Sequence, residues 1–285
     1  MCLLRKAGKE ACILGQGILK IMKIQLPEAV RTIINELNRA GYEAYAVGGC
    51  VRDALLGRQP QDWDITTSAK PMQVKEVFKR TLDTGIQHGT VIVMIDHVGY
   101  EVTTYRIDGE YEDCRHPKEV SYTSNLLEDL KRRDFTINAM AYNEQTGLVD
   151  EFEGIHDLSL GLIRCVGAPE ERFTEDALRM LRALRFAAQL GFTIEEQTVQ
   201  AIRKLSGNLR YVSAERIQTE LTKLLVSAHP EMMEMVYTTG ISAVILPEWD
   251  VMMQTVQRNP HHCYSVGMHT VHVLQNVPSD KILRY

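Results

Sequence analysis

The stretch VGGCVRDALLGRQPQDWDITT, residues 47–67, decides how the rest of the chain is read. Near its end Asp62 and Asp64 stand one residue apart. On a β-strand that spacing puts both carboxylates on one face and turns Trp63 to the other, toward a core. Two like charges held side by side are costly unless a cation neutralises them. Their hard oxygens suit Mg²⁺, which also takes phosphate oxygens and water as ligands. Alone, the D-x-D pattern equally describes an acidic surface pair.

The residues upstream sharpen that reading. Residues 44–47 read as a strand and 51–56 as a helix, with Gly48 and Gly49 at the junction. Glycines there let backbone N–H groups approach phosphates, and the start of a helix adds a positive dipole. Arg52 supplies a permanent cation suited to a triphosphate. Asp53 reads as a partner for Arg52 rather than a metal ligand. The plain alternatives are an ordinary strand-to-helix turn and a surface salt bridge. Neither the G-x-x-x-x-G-K-[ST] loop nor the G-x-G-x-x-G dinucleotide pattern occurs. A two-metal phosphoryl-transfer site calls for a third carboxylate. Glu101 opens the run EVTTYR on the second arm of a hairpin, residues 90–95 and 100–106 with a turn at 97–99, which could lie beside the 62–67 strand. It reads as a metal ligand, as a base for the attacking hydroxyl, or as a solvent-facing hairpin glutamate.

Periodicity changes near residue 150. Before it, short β-rich runs alternate with helices: residues 72–81 are amphipathic, 126–131 and 135–141 read as helical, and the polar stretch 107–124 reads as a mobile loop. After a short strand at 161–166 the pattern is helical almost throughout, with helices over 174–190, 195–205, 213–227 and 230–238. The fold class is therefore α+β, an α/β head followed by an all-α body. The 285 residues carry a net charge of −5, with 45% hydrophobic and 24% charged residues. Such a composition can bury a core and excludes a uniformly basic surface, though not a local basic groove. Six scattered cysteines without a C-x-x-C pair argue against a disulfide framework or zinc site and fit a reducing, cytoplasmic setting. No apolar run has the length of a membrane span. Residues 1–22 read as a disordered extension, with Met22 an alternative start.

The string GGCVRDALLG followed by DWD resembles the first motif of the class II tRNA nucleotidyltransferase and bacterial poly(A) polymerase family, whose members share a polymerase-beta-like head. Later segments follow in the family's order. LKRRDFTINAMAY (130–142) is similar to the second motif, and the resemblance implies that Arg133 and Asp134 contact ribose and phosphates while Asn138 supports the turn. DEFEGIHDLSLGLIRCVG (150–167) resembles the third, EDALRMLRALRF (175–186) the fourth and SAERIQTELTKLL (213–225) the fifth. In the fourth, Asp176 and Arg179 are three apart, so on one helix they share a face. A carboxylate acceptor beside a guanidinium donor matches the amino group and ring nitrogen of cytosine or adenine. Uracil and guanine would leave both groups unsatisfied. The alternative is an exposed i,i+3 salt bridge. Arg182 and Arg185 continue the helix, and residues 164–216 hold nine Arg or Lys against seven Asp or Glu. Part of that surface is expected to face the phosphates of the RNA acceptor end.

Residues 261–285 resemble the opening of an HD-type domain, with His269 at the first ligand position and His272 three residues on. No downstream His-Asp pair follows, so no metal site is assigned there, and the segment reads as a truncated domain start. The expected organisation is an extension (1–22), a catalytic head (23–152), a base-recognising neck (153–212), an RNA-binding helical body (213–260) and the HD-like segment. The resemblance implies CCA addition to the 3′ end of tRNA with two Mg²⁺ ions and CTP and ATP as substrates, with no protein partner. Poly(A), CC-only or A-only addition, or an RNA-binding fragment without turnover, are the alternatives.

Overall fold

Four consecutive apolar or aromatic residues, AYAV, form β1 (Ala44–Val47), and all four are buried. The computed structural model describes residues 23–86, 89–109, 120–258 and 263–284, without the side chains of Thr84, Asp108 and Val120. The expectation for residues 1–22 and most of that for 107–124 lie outside these. The described residues divide into two units, one ending at Leu160 and one beginning at Gly161.

In the first unit β1 is followed by β2 (Ile65–Thr67), β3 (Thr81–Gly85), β4 (Thr90–Ile95), β5 (Val98–Thr104), β6 (Arg106–Asp108), β7 (Val120–Tyr122), β8 (Ala141–Asn143) and β9 (Gly147–Val149). Seven of these make one mixed sheet in the order β3-β4-β5-β2-β1-β8-β9, while β6 and β7 pair separately, so both ends of the expected loop are strands. The sheet's neighbours are antiparallel except β2 and β5, which run parallel with Ile65 opposite Val102. Helices α1 (Glu28–Arg39), α2 (Gly49–Leu55), α3 (Pro71–Val77), α4 (Leu126–Lys131) and α5 (Gly154–Leu160) accompany it. Helix α1 buries Val30, Ile33, Ile34 and Leu37, the i, i+3, i+4, i+7 stripe of a helix packed on one side.

Three local expectations shift. Strand β2 begins at Ile65, not Asp62, although Val47 N–H still donates to the Asp64 carbonyl at 3.0 Å and carries the pairing one residue upstream. The hairpin turn lies at Asp96 and His97, whose φ angles of 48° and 65° suit the tight two-residue connection that matches strand twist. Residues 135–141 are not helical. Asp134 accepts the Phe135 N–H at 2.8 Å, a single 3-10 turn (Thr136–Asn138) follows, and the chain then enters β8. Side-chain capture of backbone N–H groups competes with helix propagation there.

The second unit is mainly helical. A two-residue parallel pair, β10 (Leu162–Ile163) with β11 (Thr193–Ile194), accompanies α6 (Pro169–Glu175), α7 (Leu178–Leu190), α8 (Glu196–Leu205), α9 (Ala214–Leu225), α10 (Met233–Thr238), α11 (Ser242–Ile245), α12 (Pro247–Gln254), α13 (Val266–Asn276) and α14 (Lys281–Arg284). Helix α7 is central: it is buried along most of its length and stops at Gly191, whose φ of 71° is the left-handed C-terminal conformation. The Trp249 indole N–H donates to the Met233 carbonyl at 3.2 Å and ties α12 to α10. Cys50, Cys165 and Cys263 are free thiols. No described helix is long and apolar enough to cross a membrane.

Candidate active site

Paired residues of a parallel ladder point to the same side of the sheet. Ile65 and Val102 are buried, so Asp64 and Glu101, each one residue upstream, share the opposite face. Asp62 and Asp64 are both exposed, with Trp63 half-buried between them. The three carboxylates feel one another. Desolvation by the protein behind it raises the Asp64 carboxyl above the usual range; Arg133 opposes that rise and Asp62 adds to it. Glu101 is raised first by desolvation, then by Asp64 and Asp62. Asp64 thus opens to water on one side while protein fills the space behind it. The donor set fits a divalent cation: hard oxygens only, mutually repelling until a positive charge enters. Among the described residues no three His, Cys, Asp or Glu side chains stand so as to hold a metal ion together; Mg²⁺ is commonly held by one or two carboxylates with substrate phosphates completing its shell.

Gly48 begins α2 with φ 82°, in the left-handed region. Its N–H donates to the Met140 carbonyl at 3.1 Å, so this amide serves the fold instead of reaching for phosphate as expected. Its contribution is space. A Cβ there would lie 3.0 Å from Arg133 Nη1 and 3.7 Å from the Asn138 carbonyl. The Arg133 guanidinium rests over this turn with its field on Asp64, and its Nε is buried without a hydrogen-bond partner. Arg133 is therefore the cation beside the carboxylates.

Arg52, expected to meet a triphosphate, is buried and engaged within the fold. Its Nε and Nη2 bind Asp53 at 2.9 and 3.0 Å, and its Nη1 donates to Asn138 Oδ1 at 2.7 Å. The pairing with Asp53 matches the sequence reading. Asn138 Nδ2 in turn donates to Asp134 Oδ1 at 3.0 Å. The buried Asp134 also takes the Phe135 N–H, so Asp53, Arg52, Asn138 and Asp134 form one chain of hydrogen bonds joining α2 to the 136–138 turn. Asn138 is the middle of that chain, in keeping with its expected support of the turn.

In the second unit Asp176 and Arg179 do not share a helix. Helix α6 ends at Glu175, Asp176 is extended at φ −139°, and α7 starts at Leu178. Asp176 Oδ1 accepts the Leu178 N–H at 3.0 Å, the helix-starting role Asp favours, and this interrupts the continuous helix expected over 174–190. Its Oδ2 accepts from Arg216 at 2.9 Å, while Arg179 pairs with Glu175 at 2.6 Å. Arg185 is no surface cation. It is buried, donates from Nε to Glu220 at 2.5 Å and from Nη1 to Gln189 at 2.7 Å, and lies 3.7 Å from the Phe186 ring centre. Position 185 falls on the face α7 turns to α9, so its charge is answered inside. Arg182 is half-buried, 5.4 Å from the same ring.

Residues 44–164 match the poly A polymerase head domain, and residues 191–253 match a probable RNA and SrmB-binding site of polymerase A. The chain belongs to the class II tRNA nucleotidyltransferase and bacterial poly(A) polymerase family. It is 53% identical over 209 residues to the CCA-adding enzyme of Lactiplantibacillus plantarum, covering 72% of this chain and 51% of that protein. It is 43% identical over 268 residues to the CCA-adding enzyme of Leuconostoc mesenteroides, covering 91% and 66%. The fold also resembles the crystal structure of the Bacillus stearothermophilus CCA-adding enzyme in complex with CTP, with a TM-score of 0.75 and 42% identity over 82% of this chain and 57% of that one. The chain spans about half the length of the curated relatives it matches.

Two charged side chains, one in each unit, escaped the sequence reading. Asp129, fully buried, pairs with Arg132 and Arg133. Arg216 holds Asp176. Each had a visible signal: Asp129 stands three and four residues before two arginines just past the end of its helix, and Arg216 lies inside the quoted SAERIQ string.

Proposed function

We propose that this chain is a CCA-adding tRNA nucleotidyltransferase, extending the tRNA 3′ end with C, C and A from CTP and ATP, without a nucleic-acid template and with release of pyrophosphate. The observation that carries this reading is the gathering of Asp62, Asp64 and Glu101 at the start of β2, where like charges meet beside the Arg133 guanidinium. Asp62 and Asp64 would hold two Mg²⁺ ions, which when bound acidify the RNA 3′-hydroxyl and stabilise the charge of the departing pyrophosphate.

The protein's own groups do the rest. Arg133 binds the triphosphate, over a turn that Gly48 keeps open and Gly49 continues. Glu101, raised by desolvation and by Asp64 and Asp62, takes the proton of the 3′-hydroxyl as that oxygen attacks the α-phosphorus. A P–O bond forms to the RNA and the bond to pyrophosphate breaks. Asp134, Asn138 and Arg52 brace the turn that follows Arg133. Asp176 accepts from the base amino group and Arg179 donates to the ring nitrogen, with Glu175 and Arg216 fixing their orientations. Arg182, rather than Arg185, is the neck arginine placed to meet RNA phosphate. The cytoplasm, where free buried thiols persist, is the proposed location.

The test is incubation with tRNA ending at its discriminator base and with CTP and ATP singly and together, followed by sequencing of the new 3′ end. Terminal CCA is expected. A run of A, or arrest at CC, would reassign the chain to poly(A) or CC-only addition. Asp62→Ala is expected to abolish incorporation with the thermal transition preserved; Mg²⁺-dependent activity surviving in that variant would refute the metal role. A second reading, a nucleotide- and RNA-binding fragment without turnover, draws on the chain's half-length match to its relatives, and tRNA binding without incorporation would support it.

A further inference from the structure

Beneath the carboxylate edge lies a side chain that the proposed chemistry leaves unused. Asp129, on α4, has no exposed surface. Its Oδ1 accepts from Arg132 Nε at 3.0 Å and from the Arg106 N–H at 3.4 Å. Its Oδ2 accepts from the Thr66 hydroxyl at 3.1 Å and from Arg133 Nη2 at 3.4 Å. Thr66 belongs to β2, the strand that Asp64 leads into, so one carboxylate ties that strand to the guanidinium above it. Burial by itself would raise the Asp129 carboxyl; the charges of Arg133 and Arg132 and the bonds from Arg132 and Thr66 outweigh it and hold the group below the usual range. It is thus an anion at working pH.

Arg133 has few other anchors. Its Nε is buried without a partner, and only the missing Cβ of Gly48 makes room for its Nη1. An arginine that must present a fixed fork to phosphate needs something to hold it in one orientation.

We propose that Asp129 is a positioning residue that acts through Arg133 to set the affinity for the phosphates of the incoming nucleotide. This rests on the nucleotidyltransferase reading. Arg132 occupies the other oxygen and has no part in the effect, which separates orientation of Arg133 from general support of α4.

The experiment measures binding of CTP and of cytidine, which lacks phosphates, to the full chain in Mg²⁺. Asp129→Asn keeps the shape but loses the charge and is expected to weaken CTP about tenfold while leaving cytidine within about twofold. In an Arg133→Ala background the same substitution is expected to change CTP affinity by less than about twofold, because contributions that pass through one shared partner do not add. Arg132→Gln is expected to leave both ligands unchanged. An Asp129→Asn loss that persists without Arg133, a matching loss in Arg132→Gln, or an unchanged CTP affinity would each overturn the proposal. If Asp129→Asn does not fold, Thr66→Val, which removes the other donor to Oδ2 without altering a charge, takes its place; its smaller loss must also vanish without Arg133. A wild-type chain that binds no CTP would overturn the nucleotidyltransferase reading itself, whereas normal wild-type binding with indifferent variants overturns this inference alone.

Discussion

Two groups of acidic residues, one in each unit, are treated in opposite ways. In the first, Asp62, Asp64 and Glu101 gather at the start of β2, where desolvation and then the neighbouring carboxylates raise Asp64 and Glu101. In the second, Glu175, Asp176 and Glu220 are each answered by arginine. Glu175 sits between Arg172 at 2.5 Å and Arg179 at 2.6 Å, Asp176 holds Arg216 at 2.9 Å, and Glu220 holds Arg185 at 2.5 Å. The first arrangement leaves like charges that a cation from solution would offset; the second supplies its own counter-charges and fixes donors and acceptors in place. Metal-dependent chemistry needs the first kind of surface, and recognition of a base edge needs the second.

The comparison breaks most visibly where a matched pair is opened. Arg185→Ala strands Glu220 in a site where both side chains are under 10% exposed, and such uncompensated burial costs about 3–5 kcal/mol. A calorimetric or denaturant-unfolding measurement should record that loss. Arg185→Met with Glu220→Leu should recover most of it, since replacing a buried pair by apolar groups is often near neutral. A single-variant loss below about 1 kcal/mol would mean the pair behaves like an exposed one.

The first unit responds next, through backbone. Gly48→Ala imposes a side chain at φ 82° and drives a Cβ to 3.0 Å from Arg133 Nη1. Strain of this kind costs on the order of 1–3 kcal/mol. Because the displaced atom belongs to Arg133, CTP affinity should fall along with the unfolding midpoint. A midpoint shift with unchanged CTP binding would detach Arg133 from the nucleotide.

Much of this was readable beforehand, for physical reasons that differ by region. Strand β1 has the bounds that its run of buried residues implied, and Glu101 lies beside the Asp62–Asp64 segment because period-2 alternation and a tight hairpin constrain register strongly. Asp53 pairs with Arg52 as adjacency suggested. What failed depended on where individual polar groups are satisfied. Nothing local says that the Gly48 N–H belongs to Met140, or that Arg185 faces Glu220 from thirty-five residues away. The break at Asp176 had a cue, an Asp ahead of an apolar run, but helical periodicity on both sides masked it. Strand β3, with the sequence TLDTG, carries too few apolar residues to announce itself, and pairing with β4 makes it a strand.

The smallest expected effect is also the one that separates the two units most cleanly. The folded-state carboxyls of Asp64 and Glu101 are raised, so ionising them costs more in the fold than in the unfolded chain. That cost is present at neutral pH and disappears as the pH falls below the unfolded carboxyl range of about 4. Asp64→Asn should therefore raise the unfolding midpoint of the metal-free protein slightly at pH 7, by about 0.5 kcal/mol or less because these groups are solvent-screened, with the gain closing toward pH 4. Mg²⁺ should reverse the order, stabilising the wild type more than the variant, since only a ligand that binds the native state shifts its midpoint. The same substitution at Asp176 should behave in the opposite sense, destabilising without Mg²⁺ and indifferent to it, because Arg216 already supplies the counter-charge proposed to come from a metal in the first unit. Should Asp64→Asn destabilise the metal-free chain, the carboxylate group would be a matched network after all, and the contrast from which the metal site was proposed would be gone.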